Sequence, residues 1–192
     1  MAGGLLKAAE KYLLTSPSVQ APGSGAGDDM ERPDIRIIGV DPGLAATGWG
    51  VVELSGGKLK YVAHGCIETS AGEPGPERLA YIYRSFLKVL RKYKPVEAAM
   101  ENLYFGKNSS SAMAVAEARG VLLMTLGSRG LPVLEPAPNT IKKAVTGVTN
   151  ADKKQIQEMV RVILGLPEIP KPDHAADALG AAIFAAHNAS HV

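Results

Sequence analysis

The chain has 192 residues, 46% of them apolar and 21% charged, with a formal net charge of +2. That size suits one domain with a substantial core and excludes two full-sized lobes closing on a ligand. A single cysteine, Cys66, excludes an internal disulfide framework and a Cys-rich zinc site, and no run of apolar residues is long enough to span a membrane, so a reducing, cytoplasmic setting is expected.

At the amino terminus, Leu5, Leu6, Leu13 and Leu14 are interrupted by Lys7, Glu10 and Lys11, which fits neither a signal peptide nor an Arg-rich transit peptide. The following SPSVQAPGSGAGDD has the composition of a flexible linker. Residues 1–34 therefore read as an extension with a short helix near 4–14, and residues 35–192 as the folded domain. The extension holds three bases and five acids, so the domain itself carries +4. The overall near-neutrality is thus a weak argument against a nucleic-acid partner.

The β-branched run from Ile35 to Val40 predicts a buried strand ending at the turn Asp41-Pro42-Gly43. Gly48 to Glu53 predicts a second strand, Ser55-Gly56-Gly57 a hairpin turn, and residues 58–69 a third, together an antiparallel meander. Leu79, Ile82, Phe86, Val89 and Leu90 recur at helical spacing and predict an amphipathic helix over 77–92, stopped by Pro95. Val96 to Met100 is a fourth strand leading to Glu101. A helix over 109–126 carries only Glu117 and Arg119 as charges, so both its faces need covering, which points to a dimer. A short fifth strand at 132–134 precedes helices near 139–145, 152–164 and 174–188. The expected class is α/β: a mixed five-stranded sheet, three antiparallel strands then parallel ones, with helices on both faces.

Asp41 and Glu101 each follow a buried strand, where open α/β sheets bind ligands. If those strands are neighbours, about 4.8 Å apart, the two carboxylates repel unless a cation lies between them. Each could equally cap a turn. Asp173-His174-Ala175-Ala176-Asp177 opens the last helix, where residues 173, 174 and 177 share a face. Acids there also suit the helix dipole, and Asp173 suits an N-cap. The small residues from Ala175 to Ala182 allow this helix to lie very close to the sheet, pressing its polar tip toward the strand ends.

The segments GVDPGLAATGWGVVE, MENLYFGKNSSSAMAVAEARG, NTIKKAVTGVTNADKKQIQEMV and PDHAADALGAAI, in that order, resemble the RuvC family of Holliday junction resolvases across residues 35–189. The resemblance implies an RNase H-like fold, metal-dependent hydrolysis of DNA phosphodiesters at four-way junctions, a homodimer that nicks two strands symmetrically, a branch-migration helicase complex as partner, and a nucleoid-associated location. Asp41, Glu101 and Asp177 match its acidic positions, while His174 stands where many members carry an aspartate. Imidazole suits softer divalent ions than Mg²⁺, so with two ions per subunit Mn²⁺ is expected to serve at least as well as Mg²⁺. His174 is a ligand or a general base, and Asp173 an N-cap or a replacement oxygen.

For DNA contacts, residues 136–163 hold five bases against two acids. Lys142 and Lys153 match family positions that act at the phosphate backbone, although lysines on helices are ordinarily a solvated face. Lys107 and Asn108 are further phosphate candidates. Tyr104 matches an aromatic associated with bases at the junction centre, and Phe105 reads as a core anchor. The DPGLAATG loop also resembles the phosphate loop of actin-like kinases, but those need two such domains and 158 residues leave room for one. A non-catalytic junction binder is the other rival, opposed by the presence of all three acids.

Overall fold

A computed structural model of the chain describes residues 34–102 and 109–189, the side chains of 109–111 apart. All the elements below belong to one compact unit, residues 33–192. The expected helix near 4–14 lies outside the described residues.

The strands are β1 (Ile35–Asp41), β2 (Ala46–Ser55), β3 (Lys58–Glu68), β4 (Glu97–Met100) and β5 (Val133–Leu134). Interleaved with and following them are α1 (Gly75–Tyr93), α2 (Ser109–Gly127), α3 (Pro138–Thr146), α4 (Lys153–Ile163) and α5 (Asp173–Ala189). The sheet order is β3-β2-β1-β4-β5, antiparallel across the first three strands and parallel from β1 to β4 to β5. This is the mixed sheet expected from the sequence.

Period-two alternation sorts β1 between two cores. Ile38 and Val40 join the apolar cluster under α1 and α2, with Ile82, Phe86, Leu122 and Leu126. Ile37 joins the opposite cluster, with Ile141, Val160, Leu179 and Ile183 from α3, α4 and α5. Fully burying a side chain such as Phe86 in one layer or Ile183 in the other contributes about 1.5–3 kcal/mol, so both layers are firmly held.

The α1 helix begins after Pro74 and ends where Lys94 turns left-handed, at φ 50°, before Pro95. Its apolar stripe of Ile82, Phe86 and Leu90 is the one that the periodicity predicts. The α4 helix starts with a reciprocal cap: Asp152 accepts from the Gln155 amide, and the Gln155 side chain accepts from the Asp152 amide, both at 2.9 Å. That fixes the first turn of α4.

The α5 helix is buried along almost its whole length and lies directly on β1 and β2. Three glycines make this possible. A Cβ on Gly39 would stand 1.9 Å from the Ala178 carbonyl oxygen, and one on Gly48 would stand 1.9 Å from that of His174. A Cβ on Gly50 would meet the Leu179 side chain at 2.6 Å. Gly39 pairs with Gly50 across the β1–β2 ladder, so the glycines clear a groove and the alanines of α5 fill it.

Candidate metal centre

The same alternation that sends Ile37 and Gly39 toward α5 sends Asp41 there too. On β4, Ala99 belongs to the α5-side core, so Glu101 two residues on shares its side. The parallel register sets Val40 beside Met100, and the next residues on each strand are Asp41 and Glu101. Asp177 comes from the second turn of α5, which the glycine groove presses onto these strand ends. Asp41, Glu101, Asp177, Lys142 and Lys153 line one open cleft. Three acids and two lysines singled out in the sequence are thus brought together.

His174 reaches this group through Asp41: its Nδ1–H donates to Asp41 Oδ2 at 2.7 Å. Since an ionised carboxylate only accepts, this bond fixes the tautomer and leaves the Nε2 lone pair for a proton or a metal ion. The backbone sets the contact, because Asp41 pairs with Gly48 and His174 sits on Gly48.

The electrostatics are those of an acid cluster short of cations. Burial holds the Asp41 carboxyl above its ordinary range, the His174 hydrogen bond opposes this, and the Asp177 charge adds to it. Glu101 is also pushed up, chiefly by burial and then by Asp41 and Asp177, with Lys142 acting the other way. Asp177 is raised by burial and relieved by Lys153. Groups so placed hold their protons more tightly, and added positive charge favours their ionised forms. Three carboxylates and an imidazole are donors that a divalent cation of the Mg²⁺ or Mn²⁺ type accepts, so the residues present fit such an ion. Among the described residues no three His, Cys, Asp or Glu side chains are already gathered closely enough to hold an ion.

One feature went unread in the sequence and another was misassigned. Arg119, one of only two charges noted on α2, is buried; its Nη1 donates to the Glu101 carbonyl at 2.7 Å and its Nη2 pairs with the Glu135 carboxylate. It braces the backbone of Glu101 itself, just past the end of β4. The available signal was a lone arginine in an otherwise apolar helix. The second feature is Asp173. The N-cap expectation is incorrect: α5 begins at Asp173 itself, directly after Pro172, and the carboxylate turns instead to α4. It pairs with Lys153 Nζ at 3.0 Å and accepts from Gln157 Nε2 at 3.0 Å. Asp173 is not among the residues lining the cleft. Tyr104, Phe105, Lys107 and Asn108 lie outside the described residues.

Comparison with known proteins gives concordant matches. The family model described as Crossover junction endodeoxyribonuclease RuvC matches residues 37–187. The chain is 52% identical over 147 residues to the Treponema denticola crossover junction endodeoxyribonuclease RuvC, covering 77% of this chain and 83% of that protein. It resembles the Thermus thermophilus RuvC structure with a TM-score of 0.75 at 35% identity, covering 81% of this chain and 96% of that one. The structure of Thermus thermophilus RuvC in complex with Holliday junction substrate is similar at a TM-score of 0.74 and 34% identity, with the same coverage.

Proposed function

This chain belongs to the RuvC family of crossover junction endodeoxyribonucleases, and we propose that Asp41, Glu101, His174 and Asp177 are the residues with which it cuts DNA. It is a divalent-metal-dependent nuclease that resolves Holliday junctions. The observation that supports the assignment is the convergence of three burial-perturbed carboxylates, from β1, from the residue after β4 and from α5, in one cleft with two lysines.

Asp41, Glu101, Asp177 and His174 would hold two divalent ions. Such ions would supply Lewis-acid polarisation of the scissile phosphate, activation of the attacking water and charge stabilisation at the leaving oxygen. The chain's own groups do the rest. The Nδ1–H bond to Asp41 orients His174, whose Nε2 either ligates or takes the proton of the water. Lys142 and Lys153 set fixed positive charge at the cleft, where the phosphate's non-bridging oxygens gain charge in the transition state. Arg119 keeps Glu101 in place from behind.

The activity is assigned to residues 35–192, with residues 1–34 an extension outside it. Two symmetric nicks require two cleavage centres, and a two-fold homodimer supplies them. The exposed stripe of α2 that carries Met113 and Met124, 65% and 57% exposed, supports that helix as the dimer face. DNA contacts by Tyr104 and Lys107 and a branch-migration helicase partner follow from the family resemblance. No helix among the described residues is long and apolar enough to cross a membrane.

The deciding experiment is cleavage of a synthetic four-way junction, against linear duplex, in Mg²⁺ and in Mn²⁺, with Asp41→Asn as control. Paired nicks in the junction, lost in the control and at least as fast in Mn²⁺ as in Mg²⁺, are expected. A junction left intact in both ions would refute the site assignment, and inhibition by Mn²⁺ would remove His174 from the ligand set.

A further inference from the structure

Resting on the reading of the acidic cleft as the metal centre, the geometry points to Asp173 as a positioning residue: with Gln157 it draws the Lys153 ammonium to itself at the edge of the cleft, leaving the metal ligand Asp177 only the longer share of that charge.

Lys153 is the first residue of α4, and the reciprocal Asp152–Gln155 cap fixes the backbone from which its side chain departs. Its Nζ lies 3.0 Å from Asp173 Oδ2 and 3.5 Å from Asp177 Oδ2, so two carboxylates one turn apart on α5 share one ammonium. The other oxygen of Asp173 accepts from Gln157, which is buried and one turn along α4 from Lys153. Asp173 is therefore tied to α4 at both oxygens: a buried amide orients the carboxylate, and the oriented carboxylate receives the ammonium.

The consequence is a division of labour between two acids. An ammonium is a compact point charge with three donors, and it seeks the nearest carboxylate. Without Asp173 that carboxylate is Asp177, and Lys153 becomes a built-in competitor of any divalent ion at the same oxygens. With Asp173 in place, an ion can take Asp177 while Lys153 keeps a partner 3.0 Å away and remains beside the cleft, its other protons available to a phosphate oxygen. Both oxygens of Asp173 are engaged by α4, one by Lys153 and one by Gln157, so it acts through Lys153.

The test is Mn²⁺ binding to the full-length, DNA-free chain by calorimetry, for the native protein, Asp173→Asn, Lys153→Met and the double variant. Asparagine keeps an oxygen for Gln157 and removes only the charge. Asp173→Asn should weaken Mn²⁺ binding roughly two- to five-fold, the range for an exposed ion pair. Lys153→Met should not weaken it, and the double variant should match Lys153→Met, because Asp173 has no effect once its lysine is gone. Equal weakening by Asp173→Asn in both backgrounds would mean a general charge effect or direct ligation and would overturn the inference. So would an Asp173→Asn protein that binds as the native chain does. A native chain that binds no Mn²⁺ at all would instead refute the metal-centre reading on which this rests.

Discussion

The contact between α5 and the strands beneath it makes Gly48→Ala a sharp probe of the site. The added methyl would stand 1.9 Å from the His174 carbonyl oxygen, 2.3 Å from its carbonyl carbon and 2.9 Å from its Cβ. An ordinary carbon–oxygen contact needs about 3.4 Å, so the first turn of α5 must retreat by roughly 1.5 Å or β2 must bend. The obstacle is backbone and has no rotamer to escape into. Overpacking of this kind costs about 1–3 kcal/mol, and for a domain of this size each kcal/mol lowers Tm by about 2–4 °C. The loss of activity should be larger than the loss of stability suggests. The displaced turn carries His174 and leads to Asp177, and a misplacement of about 1 Å at reacting groups costs on the order of 10²-fold in rate. Gly180→Ala on the same helix is the control, since its Cβ would meet nothing closer than 3.6 Å. Thermal melts and junction cleavage at a temperature well below both transitions separate the two effects. A Gly48→Ala protein that cleaves at the native rate, or a Gly180→Ala protein equally impaired, would refute the reasoning.

Two further outcomes follow from the electrostatics and bracing of the site. Asp41, Glu101 and Asp177 hold their protons more tightly than in the unfolded chain, so the native state binds more protons over a window that opens near the ordinary values of 3.8 and 4.5 and extends upward. Their ionisation therefore costs metal-free stability as pH rises through that window, and a cation that favours the ionised forms should stabilise progressively more. The difference in Tm with and without Mn²⁺ should widen from pH 4 to pH 7, and a difference independent of pH would contradict it. Asp173 is held below its ordinary range by Lys153 and then Gln157, and acts in the opposite sense at lower pH, which is why the comparison is between loaded and unloaded protein. Arg119→Met removes the guanidinium that donates to the Glu101 carbonyl, should cost about 0.5–1.5 kcal/mol, the range for a net hydrogen bond, and should slow cleavage by loosening Glu101. An unchanged melting temperature would show that the brace is idle.

What the sequence made legible was whatever a local pattern encodes. Asp41 and Glu101 stood at the ends of β-branched or apolar runs, so their place at the carboxyl ends of adjacent strands could be reasoned out. The alanine-rich run after His174 likewise announced a helix able to lie flat on the sheet, and Gly39, Gly48 and Gly50 complete that fit. What stayed hidden were pairings between residues far apart in the chain. The Arg119 partners lie 16 and 18 residues away, and the Lys153–Asp173 pair joins two helices. For Asp173 the local rule misled: an acid at a helix start suggests a cap, but Pro172 precedes a helix that begins on Asp173 itself, and the nearest unmet charge was on α4. Lys153, expected at a phosphate, is paired with the carboxylates of Asp173 and Asp177.

The glycine groove also bears on time. Where side chains separate two elements, rotamer hops let the gap between them breathe on fast timescales. Here, at Gly39 and Gly48, the α5 backbone rests directly on the backbone of β1 and β2. The span from Asp41 to Asp177 then behaves as a stiff gauge, altered only when helix and sheet part altogether. Amide protons of β1 and the middle of α5 should accordingly exchange with solvent only through global unfolding, keeping the metal-binding groups at constant spacing for as long as the domain stays folded.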